Sequence, residues 1–365
     1  MSFTPVNISA SISEQTGQAH NNNALAFCVD DRYLPYALFA AEQFINLHPE
    51  LPCDICICLP DISKVPEKFK NNHIRFIELS INGIDSLPVG RLSLAAYYRL
   101  FLPQVFEDTY EYIIYLDADT YINKPFYHDM MTHIDGFKPD FCVAAAADIM
   151  ELKFRSSFKS KQTIVDTYVR SYHESEHIYR NSGVLVFHTK NYVKENVLSR
   201  VFNYALENAG SLQCHDQSAL NRVLLSDIAL LPFDFNWQIN KLTYKFTEVI
   251  DPYIIHFISD NKPWMTDNKY TVKYQDIYKE FLLANFPEIT PEILTMFDKR
   301  CKTPKYDNPV KEFVSREWQR MKNNSSEKFM QMSGFEKAKD KYNVRDVLIE
   351  TPFLINTKHT SGEKD

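Results

Sequence analysis

Glycine is scarce in this chain, with 8 residues in 365. Neither G-x-G-x-x-G nor G-x-x-x-x-G-K occurs, which excludes a glycine-rich loop cradling phosphate. A phosphate-bearing ligand would therefore need side chains and a metal to hold it. No run of 18 apolar residues is present, so no helix of the sequence is expected to span a bilayer. Residues 1–23 contain no Lys or Arg and no apolar stretch. They are expected to form a flexible arm rather than a secretory signal. The seven cysteines follow no disulfide framework. Cys53, Cys56 and Cys58 fit a strand, without a second pair at zinc-finger spacing. The expected setting is cytoplasmic, with reduced thiols.

What the chain has in quantity is apolar and aromatic surface: 26 Phe, 21 Tyr and 45% hydrophobic residues, against 24% charged. That composition is globular, with ample core for one large or two ordinary domains. The net charge of −7 is unevenly spread. Residues 299–346 hold 13 Lys/Arg against 7 Asp/Glu, so the remainder is the more acidic part. An acidic body with a basic tail suits an anionic membrane surface, and a solvated helix face has the same composition. No nucleic-acid partner is expected.

Apolar runs at 24–29, 53–59 and 74–79 alternate with helical spacing at 34–47 and with a polar, Lys-rich stretch read as a helix. This is the βαβ pattern of a parallel sheet. A helix at 92–102 is expected to stop at Pro103. Strands are expected at 141–146 and 181–188, and helices at 192–206 and 213–222. Residues 150–178 read as a helical, lid-like excursion. Short pieces at 229–231 and 235–238 precede a strand at 254. Beyond 270 the pattern is helical, ending in a basic helical hairpin over 308–342.

The sequence is organised around Tyr112-Ile-Ile-Tyr-Leu-Asp-Ala-Asp-Thr-Tyr121. The apolar run predicts a strand buried on both faces, and it leads straight into Asp117 and Asp119. Ligands of open α/β sheets bind outside the carboxyl ends of the strands. Two carboxylates one residue apart at that edge could share a hard cation. On spacing alone, a solvated turn with an aspartate cap fits as well.

Five pieces then fall into one order: Phe27-Cys-Val-Asp-Asp-Arg-Tyr33, Tyr97-Tyr-Arg-Leu100, Tyr115-Leu-Asp-Ala-Asp119, Asn181-Ser-Gly-Val184 with His215-Asp-Gln217, and His256-Phe-Ile-Ser-Asp-Asn-Lys-Pro-Trp264. Together they resemble the family-eight retaining glycosyltransferases, the group holding bacterial lipopolysaccharide galactosyl- and glucosyltransferases and glycogenin. The resemblance implies a GT-A fold, a Rossmann-like mixed α/β sheet flanked by helices, over 24–275. A helical basic region, membrane- or acceptor-associated, would follow over 276–365. It also implies a UDP-glucose or UDP-galactose donor, a manganese (or magnesium) ion, and a saccharide or glycolipid acceptor such as lipopolysaccharide core. The implied location is cytoplasmic, peripheral to the inner membrane face.

By the same resemblance, Asp117, Asp119 and His256 would ligate the metal. Cys28, Asp30 and Tyr33 would hold uracil and ribose. Arg99, Ala118, Asn181, Ser182 and Lys262 would line the donor sugar and diphosphate, with Gly183 letting backbone approach. Asp216 and Gln217 would flank the anomeric carbon. Gln217 is a poor nucleophile, which favours front-face transfer over a covalent adduct. Two positions depart from the family. Ser259 replaces a frequent glycine, and Arg32 stands where relatives often carry a small amide. A glycogenin-like self-acceptor at Tyr168, Tyr172 or Tyr179, and a catalytically silent sugar-binding homologue, are the alternative readings.

Overall fold

Runs of β-branched, aromatic and small apolar residues too short for helices become the buried strands of one large sheet. The protein is seen in a computed structural model that describes residues 8–70, 73–83, 95–149, 178–209, 212, 214–240, 243–244, 247–259, 261–264 and 270–288. The expected excursion at 150–178 lies almost wholly outside the described residues, and the basic tail and helical hairpin lie entirely outside them. The chain forms two compact units, Met1–Asp148 with Asp166–Leu231, and Ile149–Val165 with Pro232–Asp365.

The first unit carries strands β1 (Ser9–Gln15), β2 (Asn23–Cys28), β3 (Asp54–Leu59), β4 (Ile74–Asn82), β5 (Tyr112–Leu116), the short β6 (Thr120–Ile122), β7 (Val143–Ala147), β8 (Arg180–His188) and β9 (Ile228–Leu231). Eight of them make a sheet in the order β1-β4-β3-β2-β5-β8-β7-β9. Strands β2 to β5 are mutually parallel where they pair. Strand β8 runs antiparallel to both β5 and β7. The sheet is thus mixed, as expected for the fold.

Residues 113–116 of β5 are at most 1% exposed, matching a strand covered on both faces. From β2 the chain steps outward to β3 and β4, then returns to lay β5 on the other side of β2. The crevice between the carboxyl ends of β2 and β5 is therefore a topological switch point, where α/β sheets receive ligands.

Helix α1 (Leu34–Leu47) follows β2, with proline in its first turn and no acidic residue there. Four sequence expectations are corrected. The arm expected over residues 1–23 contains β1, which pairs antiparallel with β4. Ile8, Ala10 and Ile12 alternate and pack against the core, which ties the segment down. The link between β3 and β4 is two 3-10 turns (Ile62–Lys64 and Glu67–Phe69) rather than a helix, with Pro66 capping the second. Proline removes the amide that a continuous helix requires.

The helix expected at 92–102 is α2 (Ala95–Tyr98), a 3-10 turn (Arg99–Phe101) and α3 (Leu102–Val105). Pro103 sits in the first turn of α3, where a missing N–H costs nothing, so it opens a turn instead of closing one. After α4 (Tyr127–Asp135), the stretch 192–206 belongs to two helices, α5 (Thr189–Lys194) and α6 (Val197–Glu207). Asn196 between them is left-handed, with φ of 51°. Helix α7 (His215–Leu224) completes this unit's helices among the described residues.

The second unit holds β10 (Trp237–Gln238), α8 (Thr247–Ile250), β11 (Ile254–His256) and α9 (Val272–Asn285). β10 and β11 pair in parallel, placing Gln238 opposite His256. Phe257 and Trp264 pack on Tyr274 and Tyr278 of α9.

Candidate active site

The Asp-Ala-Asp stretch is a turn rather than the end of a strand. β5 stops at Leu116, and the N–H and hydroxyl of Thr120 both donate to the Asp117 carbonyl, at 3.2 and 2.7 Å. The Asp117 N–H donates to the Gly183 carbonyl at 2.8 Å, anchoring this turn to β8. Ala118 is buried between two partly exposed carboxylates.

Arg99 is the centre of the charge arrangement. Its Nη1 lies 2.8 Å from Asp117 Oδ1, its Nε lies 3.4 Å from Asp216 Oδ2, and Nη1 also donates to the Ser182 carbonyl at 2.8 Å. The guanidinium stacks 4.8 Å from the centre of the Tyr115 ring, whose hydroxyl donates to Asp117 Oδ1 at 2.6 Å. Burial opposes the charge on Arg99. Asp117, Tyr115 and Asp216 outweigh it, so the guanidinium is held protonated more firmly than usual. Asp216 is 3% exposed, and burial pushes its carboxyl up to about 6, with Arg99 pulling the other way.

Gln217 and Asn181 form a second cluster beside the first. Gln217 Oε1 accepts from the Ser182 N–H at 3.0 Å and from Asn181 Nδ2 at 3.2 Å. Asp148, one residue past β7, accepts from Asn181 Nδ2 at 2.9 Å and from Gln217 Nε2 at 3.1 Å. A backbone donor at one end of the amide and a carboxylate at the other fix its orientation without ambiguity. Asn221 docks α7 onto β8 by accepting from the Arg180 N–H and donating to its carbonyl, at 2.7 and 2.8 Å. Asp148 was not among the sequence candidates. Its signal was present: like Asp117, it ends an apolar run, Val143-Ala-Ala-Ala-Ala147.

At the end of β2, Asp30 Oδ1 accepts the N–H groups of Arg32 and Tyr33 at 3.1 and 3.2 Å. Burial and the carboxylates of Asp119, Asp30 and Asp117 push the Tyr33 phenol up to about 12. Cys28 is buried at the last position of β2. The first unit thus brings Cys28, Asp30, Tyr33, Arg99, Asp117, Ala118, Asp119, Asn181, Ser182, Asp216 and Gln217 to the carboxyl side of β2 and β5. Tyr179 is 1% exposed, with its hydroxyl 2.9 Å from Ser218 Oγ, so it is no self-acceptor in this state. Tyr168 and Tyr172 lie outside the described residues.

In the second unit, His256 ends β11 and is buried. Its Nδ1 lies 3.0 Å from Asn236 Oδ1, so the tautomer that donates there carries its lone pair on Nε2. Lys262 is buried too, its ammonium turned onto the Phe257 carbonyl. Ser259 has φ of 54°, in the left-handed region that favours glycine. The Asp117 and Asp119 carboxylates of the first unit and the oriented imidazole of His256 in the second are donor types that a divalent ion accepts. Asp260 is outside the described residues.

A profile of Glycosyl transferase family 8 matches residues 24–268. General stress protein A of Bacillus subtilis (strain 168) is 25% identical over 226 residues, 57% of this chain and 72% of the relative. Glycosyltransferase GlyE of Streptococcus pneumoniae serotype 4 is 27% identical over 135 residues, 34% of this chain and 32% of the relative. The galactosyltransferase LgtC, in complex with donor and acceptor sugar analogs, shares the fold with a TM-score of 0.59 at 18% identity, over 74% of this chain and 99% of that one. The bifunctional glycosyltransferase WbbM in its apo form gives 0.51 at 21%, over 77% and 52%. The large mixed sheet with its flanking helices is that of GT-A glycosyltransferases. The profile spans well over half of the chain, and the protein belongs to glycosyl transferase family 8.

Proposed function

We propose that this glycosyltransferase moves glucose or galactose from a UDP-sugar to a saccharide acceptor, with metal dependence and retained anomeric configuration. The observation that carries the reading is Arg99, buried between Asp117 and Asp216 at the switch point. It is a fixed cation linking the Asp-Ala-Asp turn to the residue beside Gln217. Asp117, Asp119 and His256 would hold Mn2+ or Mg2+. Such an ion supplies Lewis-acid stabilisation of charge on a departing diphosphate.

The chain's own residues divide the remaining work. Asp30, Cys28 and Tyr33 hold the nucleoside. Arg99 neutralises the diphosphate side of the sugar, and Lys262 turns from the Phe257 carbonyl to reach phosphate. Asp216 accepts from a sugar hydroxyl. Gln217, an amide held by the Ser182 N–H and Asp148, stabilises positive charge at the anomeric carbon without attacking it. Transfer is then front-face, with the leaving phosphate taking the acceptor proton.

The proposed catalytic region is 24–275. The basic region after it would hold the enzyme at an anionic, cytoplasmic membrane face near a glycolipid acceptor such as lipopolysaccharide core. UDP release from UDP-glucose and UDP-galactose, with and without Mn2+, tests the activity. Absence of release from both donors with metal present, with a panel of core saccharides as acceptors, would refute it. Liposome co-sedimentation that survives deletion from residue 299 onward would refute the membrane role alone.

A further inference from the structure

A second polar centre lies at the opposite edge of the sheet from the switch point, where the parallel strands β3 and β4 begin at Asp54 and Ile74. A cavity of about 270 Å³ opens there, between the turn joining β1 to β2 and the residues leading into β4. Asp54 and Arg75 are part of its wall, and both are buried. The Asp54 carboxylate is filled. Its Oδ2 accepts the His20 N–H at 2.9 Å and the Tyr110 hydroxyl at 2.8 Å, and its Oδ1 accepts the Asn21 N–H and Nδ2 at 3.1 and 2.9 Å. Arg75, 8% exposed, is not matched in the same way. Its Nη1 donates to the Tyr110 hydroxyl and its Nη2 to Gln15 Oε1 at 3.0 Å, both neutral acceptors. Its closest approach to Asp54 is 3.9 Å, beyond hydrogen-bond reach, and its Nε is buried with no hydrogen-bond partner. A guanidinium taken out of water is ordinarily bonded directly to an anion, because neutral acceptors do not return the cost of desolvation.

We propose that this cavity is a second binding site, separate from the donor site, for a small phosphate-bearing metabolite. Lys70 and His73 line it together with Arg75, and among the described residues Asp54 is the one acid in its wall. The lining is therefore cationic, with its single carboxylate already spent. Lys70 pairs with Glu67, whose side chain is 86% exposed, and a surface pair of that kind is weak enough for the ammonium to turn inward. Phosphoryl oxygens would accept from the guanidinium, supplying the anion that Arg75 lacks, and from Lys70 and His73 at the rim. Two cationic side chains and an imidazole suit the charge of a phosphate better than that of one carboxylate. The volume lies just below the usual range for drug-sized ligands, which leaves room for a phosphate or a phosphorylated monosaccharide and excludes a whole nucleotide sugar.

The inference does not depend on the identity of the donor. Inorganic phosphate and glucose 6-phosphate are titrated calorimetrically into the full chain, with and without saturating UDP and Mg2+, against sodium chloride of equal ionic strength. Saturable binding of at least one of the two is expected, changed less than about twofold by UDP. The rim variant Lys70→Gln/His73→Gln is expected to weaken it by about tenfold or more, as the loss of a charge-assisted hydrogen bond implies. Arg75→Lys should weaken it at least as much. Should that buried substitution fail to fold, the rim variant decides. Tighter binding of inorganic phosphate identifies the free anion as the ligand, and tighter binding of the ester identifies a phosphorylated sugar; either order upholds the site. Displacement by UDP overturns the proposal, because the anion would then occupy the donor's diphosphate position. Binding unchanged in the rim variant overturns it as well, as does a heat signal that chloride reproduces or the absence of binding by both probes.

Discussion

The Gln217 carboxamide accepts the Ser182 N–H at 3.0 Å, and that one bond decides which end of the amide faces which neighbour. The Nε2 end is turned to Asp148 at 3.1 Å. Replacing the side chain removes a positioned dipole and leaves donors on Asn181 and Ser182 without their shared acceptor. Gln217→Ala is expected to lower kcat about a hundredfold, with the donor KM changed less than about threefold. Steady-state kinetics on the preferred UDP-sugar checks this. A large rise in KM with kcat retained would move Gln217 from catalysis to donor binding.

Arg99 holds two carboxylates in a buried setting. Arg99→Met leaves the buried Asp216 and the partly exposed Asp117 without the cation they share, and is expected to cost about 3 kcal/mol of stability. Arg99→Lys keeps the charge but not the fork that meets both acids, and should retain the fold with activity cut about tenfold or more. Thermal melts and UDP-release rates for the pair separate the structural part from the catalytic one.

Asp119→Asn keeps the size of the side chain and removes a formal charge from the proposed ligand set. Metal-dependent UDP binding should fall at least about tenfold, and chelation by EDTA should reproduce that loss in the wild type. A manganese titration indistinguishable from wild type would exclude Asp119 as a ligand.

His48 ties α1 to α4. Its Nε2 accepts the Phe126 and Tyr127 amides at 3.0 and 3.3 Å, and its Nδ1 lies 3.1 Å from the Phe44 carbonyl. Burial lowers its pKa in the folded state. The unfolded chain therefore takes up this proton first as pH falls. The stability His48 contributes is full above its unfolded value of about 6.5 and is lost as pH drops below it. Between pH 8 and pH 5 the wild-type melting temperature should fall more steeply than that of His48→Gln.

Ser259 occupies left-handed backbone at φ of 54°. Ser259→Gly relieves a strain of about 1 kcal/mol, partly offset by the entropy of glycine in the unfolded chain. A small rise in melting temperature is expected, and a fall would show that the serine hydroxyl compensates.

The main strands were legible because buried strands show as short unbroken apolar runs, and Tyr112–Leu116 is the clearest of them. The carboxylates past β2 and β5 were legible because acids at the end of such runs are costly without a partner. Strand β1 was missed because only alternate residues of a polar segment, Ile8, Ala10 and Ile12, pack inward. The Arg99 contacts were not legible as geometry, since Asp117, Ser182 and Asp216 are distant in sequence and meet only through the sheet order. Asp148 carried the same signal as Asp117 but stood alone, with no second acid to draw attention to it.

β8 enters the sheet at the edge where β5 leaves it, with Val184 opposite Leu116 and Arg180 opposite Ala147. Asn181 and Ser182 therefore take their spacing from Asp117 through interstrand bonds, independently of the length of chain that precedes Arg180. Grafting a differently sized insertion from a relative ahead of β8 should therefore spare the alignment of Asn181 and Ser182 with the Asp117 turn. A one-residue slip of the ladder would instead turn Asn181 to the opposite face and abolish that alignment.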